Sequence, residues 1–236
     1  ARQIQYESKA FTARLTALQN SVDRGMGHWK ISTERINPRS FDQRIIIERI
    51  PNVKSVVIDP KTRKSDRSDQ RYAWHIDKVY TEKEFIAEFP EAKVQSFDPQ
   101  KNMSTQKWIG TNYILVAQYY RVIKKKTKLL LIEGEDKPIL ETELPEGAKV
   151  KGKTVVSGDQ VFAIKRSETT EISTVEIRLT NGIEFLGEPT PWMGTTIPIL
   201  TCVGREKYID NKLDVESLTR KMREPQREYD FANSAE

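Results

Sequence analysis

The dipeptide Asn181-Gly182 constrains this chain most. It separates two alternating runs, residues 172–180 and 183–186, and suits a type I′ turn, which needs positive φ at both central residues. Strands joined this way are antiparallel, which argues for an antiparallel sheet and against one wound from βαβ units. Further β-type runs cover residues 29–34, 41–50, 53–58, 73–80 and 113–123. Pro51-Asn52 between the second and third of these predicts another hairpin. Lys124-Lys125-Lys126-Thr127 reads as a basic turn, with residues 129–132 as its return strand. Residues 133–158 read as an irregular connector, and residues 91–111 carry no periodic pattern.

Helices bracket this β-rich middle. Ile4, Phe11, Leu15, Leu18 and Val22 recur at helical spacing and predict an amphipathic helix over 3–22, ended by Gly25 and Gly27. Thr81 and Glu84 have capping-box spacing, which predicts a short helix over 82–89 closed by Pro90. Near the end, residues 197–204 form an apolar run, residues 205–211 a polar turn, and Leu218, Met222 and Tyr229 return to helical spacing. Pro225 sits where a proline can open a new helical segment, so this last helix reads as kinked. The class is α+β: an N-terminal amphipathic helix, a mostly antiparallel β-rich middle with one short helix, and a kinked C-terminal helix. The chain begins with Ala1, and no glycine or proline closes the last helix, so both ends read as cuts in a longer protein.

Composition narrows the function. Charged residues make up 31% against 37% apolar, and no apolar run approaches the ~20 residues of a membrane span, so no membrane partner is expected. The single cysteine, Cys202, excludes an internal disulfide. The net charge of +5 is spread along the chain and gathers in no single arm. There is no P-loop pattern and no Gly-x-Ser-x-Gly, and two histidines, His28 and His75, with one cysteine are too few for a structural zinc site. No cofactor is expected. Asp59, Asp66, Asp69 and Asp77 offer one catalytic alternative, a metal-dependent nuclease site. They share their stretch with Lys61, Arg63, Lys64, Arg67 and Arg71, a mixture that ordinarily makes turn hydrogen bonds and surface ion pairs. Two basic groups are candidates for contact with DNA or another subunit: Lys124, Lys125 and Lys126, and Arg220, Lys221, Arg223 and Arg227 along the last helix. In the helix Glu224, Glu228 and Asp230 offset the positive charge, which suits packing between helices equally well. A non-catalytic nucleic-acid-binding adaptor is the second alternative.

The closing passage carries a resemblance. Trp192, Gly194, Ile197 and Pro198 form Trp-x-Gly-x-x-Ile-Pro, followed by Gly204 and then Glu224, Pro225, Gln226, Arg227, Ala232, Asn233, Ser234, Ala235 and Glu236. This resembles the portal (head–tail connector) proteins of short-tailed phages. Glu224 departs from the aspartate more common there, and Phe231 supplies the aromatic beside the asparagine. Residues 56–60 and 66–72 match a second stretch, which in that family belongs to the wing framework and carries no catalysis. The resemblance implies a wing-like domain over 1–204, and a turn with the start of a stem helix over 205–236. It further implies a non-enzymatic ring, typically of twelve subunits, at one capsid vertex of the virion, assembled in the host cytoplasm. Double-stranded DNA passes through such a ring during packaging and ejection. The large terminase docks on it, and tail adaptor, capsid and scaffolding proteins are its other partners.

Overall fold

The computed structural model describes residues 2–94, 113–133, 137–144, 149–151, 154–157, 160–210 and 212–234. The chain divides into two compact units, Ala1–Val122 with Val175–Glu236, and Ile123–Thr174. Its helices are α1 (Arg2–Glu7), α2 (Ala10–Arg24), α3 (Glu82–Glu88) and α4 (Leu218–Ser234). The strands up to the middle of the chain are β1 (Met26–Arg35), β2 (Gln43–Ile50), β3 (Val56–Ile58), β4 (Tyr72–Thr81) and β5 (Tyr113–Ile132). Then follow β6 (Ile139–Leu140), β7 (Lys149–Lys151), β8 (Thr154–Ser157), β9 (Gln160–Thr180) and β10 (Phe185–Trp192). Last come β11 (Ile199–Val203), β12 (Arg205–Ile209) and β13 (Lys212–Glu216). The strand pairings among the described residues are antiparallel, as the α+β reading requires.

The N-terminal helix is two helices. Lys9 sits in the left-handed region (φ 49°, ψ 41°) and separates α1 from α2. The buried face of α2 also differs from the face that an amphipathic helix ordinarily turns inward. Ala10, Ala13, Ala17 and Ser21 are buried, while Phe11, Leu15, Leu18 and Val22 are exposed. The cause is close approach to β1. A Cβ on Gly27 would stand 1.8 Å from the Ala17 carbonyl oxygen, so helix and strand meet backbone to backbone. Only small side chains fit that seam, and the large ones are left outside.

Strand β1 lies between β2 and β11, pairing Trp29 with Arg49 and with Leu200. The hairpin expected across Pro51-Asn52 is absent, because β2 pairs with β1 whereas β3 pairs with β4. Asn52 accepts the Lys54 N–H at 3.1 Å and starts a short 3-10 turn that carries the chain from one sheet to the next. The core between them collects Ile50, Val56, Ala73, Tyr120, Val175, Ile197 and Ile199. A second cluster forms under α3, where Phe85 packs with Ile114, Val116 and Leu186. The predicted capping box is present: Thr81 accepts the Glu84 N–H, and Glu84 accepts the Thr81 N–H.

The 172–186 hairpin forms, but its turn is wider than the two residues expected. Thr180 pairs with Phe185, Gly182 alone has positive φ, and the buried Asn181 carboxamide holds the loop. It accepts the Ile183 and Glu184 N–H groups at 3.1 and 3.0 Å and donates to the Lys93 carbonyl. The polar turn expected over 205–211 is instead the hairpin β12–β13. Ser217 then receives the Arg220 N–H at 3.0 Å and opens α4, which runs as one helix through Pro225 with no buried residue.

In the second unit the expected lysine turn is absent. Lys124, Lys125 and Lys126 lie inside the single 20-residue strand β5, whose neighbour is the 21-residue β9. The run contains no glycine, proline or asparagine to reverse the chain, and Thr174 Oγ1 donates to the Ile123 carbonyl across the pair. Leu130, Ile132 and Val155 form this unit's own small core. The connector expected over 133–158 includes β6, β7 and β8, and part of the patternless stretch 91–111 lies outside the described residues. Among the described residues no helix is long and apolar enough to cross a membrane.

Candidate functional site

All four basic residues proposed on α4 meet carboxylates. Arg220 lies 3.9 Å from Asp214, and Lys221 lies 3.5 Å from Glu216, so both tie the base of the helix to β13. Arg223 and Arg227 share Glu224 at 3.2 and 3.1 Å. The helix surface is therefore a mosaic of paired charge, with Leu218, Met222, Tyr229 and Phe231 exposed on it. Exposed pairs of this kind contribute little stability, about 0–1 kcal/mol each, but they remove the one-signed field that grips phosphate. Lys124 lies 4.0 Å from Glu171, while Lys125 and Lys126 are exposed on β5.

The four aspartates do not form a common site. Asp59 is buried and accepts from the Arg71 guanidinium at 2.8 Å and from the Lys61 N–H at 2.9 Å. Burial works against its charge, but these hydrogen bonds outweigh burial and hold the carboxyl below the usual carboxylate range. Asp66 accepts the Ser68 N–H, and Asp69 accepts those of Arg63 and Lys64. Asp77 stands on β4 beside Lys30. Among the described residues no three His, Cys, Asp or Glu are placed to hold one metal ion. Among the described residues the four aspartates thus offer the nuclease alternative no shared metal site.

The loop over 59–71 instead braces the root of α4. Arg67 is fully buried, with its guanidinium on Thr62 Oγ1 at 2.9 Å and on Glu206 of β12 at 2.8 Å. Tyr208 donates to the Arg63 carbonyl at 2.9 Å, and Gln70 donates to the Ile199 carbonyl at 3.1 Å. Two of these contacts, to Glu206 and Tyr208, fix the hairpin from which the helix departs, and the third ties the loop to β11, all across more than a hundred residues of sequence. The mixed-charge loop seen in the sequence is a structural joint.

Asp77 instead joins a polar group whose other members no sequence motif singles out. Lys30 of β1 has a side chain only 5% exposed and lies 3.1 Å from Glu48, 3.6 Å from Asp77 and 3.5 Å from Gln118 Oε1. Gln118 donates to Asp77 at 3.1 Å, Tyr120 donates to Gln118, and Ser32 donates to Glu48. These groups floor a recess of about 540 Å³ whose wall includes Trp192, Met193 and Pro198. The strands that carry them are distant in sequence, so no local motif announces the group. The Trp-x-Gly-x-x-Ile-Pro segment does point to it. A Cβ on Gly194 would lie 2.6 Å from Trp192 Nε1, Ile197 is in the core, and the Pro198 carbonyl accepts the Ile31 N–H at 2.8 Å.

The family model of phage P22-like portal proteins matches residues 1–236. A protein described as "Portal protein" from Acyrthosiphon pisum secondary endosymbiont phage 1 is 24% identical over 211 residues. That alignment takes in 88% of this chain and 29% of the relative, so the chain spans under a third of the relative's length. With the family model matched from end to end, this chain belongs to the P22-like phage portal protein family.

Proposed function

We propose that this chain is the wing and the start of the stem of a ring-forming portal subunit, with residues 1–204 the wing and residues 205–236 the β12–β13 hairpin and the start of the stem. The observation that carries this is α4, a helix of 17 residues with none buried and four large apolar side chains exposed. A helix so bare needs partners, and copies arranged head to tail around an axis supply the same partner at every position. The subunit then forms a closed ring, typically of twelve, at the capsid vertex of the virion, through which double-stranded DNA is packaged and ejected. The large terminase and tail adaptor proteins dock on it, capsid and scaffolding proteins surround it, and assembly takes place in the host cytoplasm. Catalysis is left to other components. The paired charges along α4 favour the sliding of DNA over its capture, which also counts against an adaptor that binds nucleic acid tightly. Electron microscopy with mass photometry of the full-length protein tests the proposal. Closed rings are expected, and a monomer that persists across concentrations overturns it.

A further inference from the structure

We propose that the recess beneath Trp192 and Met193 binds an organic cation, the ammonium or guanidinium head of a lysine- or arginine-like group. Three features support this independently of the portal reading. The charged groups lining the recess are Lys30, Glu48 and Asp77, which leaves one negative charge in surplus. Glu48 and Asp77 line the recess with 37% and 28% of their side chains exposed, whereas the Lys30 side chain is only 5% exposed. Outside the lining, the buried His75 has its Nδ1 3.9 Å from Asp77 and without a hydrogen-bond partner. Burial disfavours its charged form, so it adds no counter-charge.

The backbone is shaped to make this floor. The β4–β5 register slips between Ile76 and Lys78, which places Asp77 at a β-bulge. Bulges re-aim a side chain, and here the re-aimed carboxylate comes within 3.6 Å of Lys30 and hydrogen-bonds Gln118. The lining also carries an aromatic and apolar part: Trp192 is half-buried, Met193 is 84% exposed, and Pro198 is buried. Carboxylates beside an indole favour a cation, by charge-assisted hydrogen bonds and by attraction to the ring face. An anion meets the surplus charge, and a neutral apolar ligand strips water from carboxylates it cannot satisfy.

Calorimetric titration of the chain at 150 mM salt with agmatine and 1,4-diaminobutane tests the site, with butyrate and butanol as anionic and neutral counterparts. Saturable one-to-one binding of the two cations alone is expected. Glu48→Gln removes a charge-assisted acceptor and should weaken binding roughly tenfold or more. Because that change also unbalances Lys30, Gln43→Lys is the second variant. Gln43 is an exposed residue of the lining, and a lysine there tethers an ammonium in the recess and blocks the free amine. Absent binding, equal binding of butyrate or butanol, or amine binding unchanged in both variants overturns the proposal. Mass photometry of the full-length protein with excess agmatine separates two sources of the cation. Dissolved oligomers assign the head group to a neighbouring copy, and intact oligomers assign it to a free amine.

Discussion

Replacing Gly27 with alanine should be among the most damaging single-methyl changes in this protein. The new Cβ would stand 1.8 Å from the Ala17 carbonyl oxygen, 2.5 Å from its carbon and 2.7 Å from Ala17 Cα. Ordinary contact begins near 3.4 Å, so α2 must retreat by about 1.6 Å (3.4 − 1.8). No side chain can swing aside, since every obstacle is helix backbone. The retreat opens the seam that buries Ala10, Ala13 and Ala17, and a gap of 0.5–1 Å already forfeits a quarter to a half of a dispersion contact. Overpacking costs about 1–3 kcal/mol, and a rigid obstacle puts this site at the top of that range, about 3 kcal/mol. At roughly 2–4 °C per kcal/mol for chains of this size, Tm should fall by ~6–12 °C. Urea unfolding followed by circular dichroism measures the loss directly. Gly187→Ala is the control: its φ of 72° brings left-handed strain of about 1 kcal/mol, but a Cβ there meets nothing within 4 Å. If Gly27→Ala unfolds within about 0.5 kcal/mol of the parent, the alanine seam does not hold the helix.

Three further outcomes are expected. Glu206→Ala leaves the fully buried Arg67 guanidinium without its carboxylate and should cost about 3–5 kcal/mol in urea unfolding. A loss below 1 kcal/mol would mean that the loop over 59–71 is not the brace of the β12–β13 hairpin. Asn181→Ala removes three hydrogen bonds of a buried carboxamide and should cost about 2–3 kcal/mol, whereas an unchanged urea midpoint would show that the turn closes without it. Burial first, then repulsion from His75 when it is protonated and from Arg67, lowers the His28 pKa from 6.5 to about 4. The folded state then binds fewer protons than the unfolded chain across that window, so stability is complete above pH 6.5. It falls by about 3 kcal/mol as pH drops to 4. An NMR titration in which the His28 ring protonates near pH 6.5 would contradict this.

Sequence reasoning located elements well where the signal is local. Thr81 and Glu84 cap α3 as their spacing requires, and Asn181-Gly182 does join two antiparallel strands. It misread features that depend on what lies opposite. Periodicity placed a helix before Gly25, but both sides of α2 repeat at helical spacing. Only the partner strand, with Gly27 facing Ala17, makes the alanine side the buried one. The lysines at 124–126 look like a turn until a partner as long as β9 is known to run beside them. Pro51-Asn52 resembles a hairpin turn because a change of sheet uses the same residues. The buried charges were the least legible. Arg67 and Lys30 look like surface residues, and their partners Glu206 and Asp77 come from remote strands. The paired state of Arg220, Lys221, Arg223 and Arg227 was half visible, since Glu224 lies in the same helix but Asp214 and Glu216 lie on the hairpin.

On the proposed reading α4, which buries none of its residues and meets its own chain at α2 and β13, is covered by neighbouring copies. Hydrogen–deuterium exchange over residues 218–234 tests it most directly, comparing this 236-residue chain with the full-length assembly. Amides of a helix without tertiary cover exchange through local opening, at rates far above those of the core strands. Fast exchange is expected in the isolated chain and strong protection in the assembly. Equal rates in both, or strong protection in the chain alone, would contradict it.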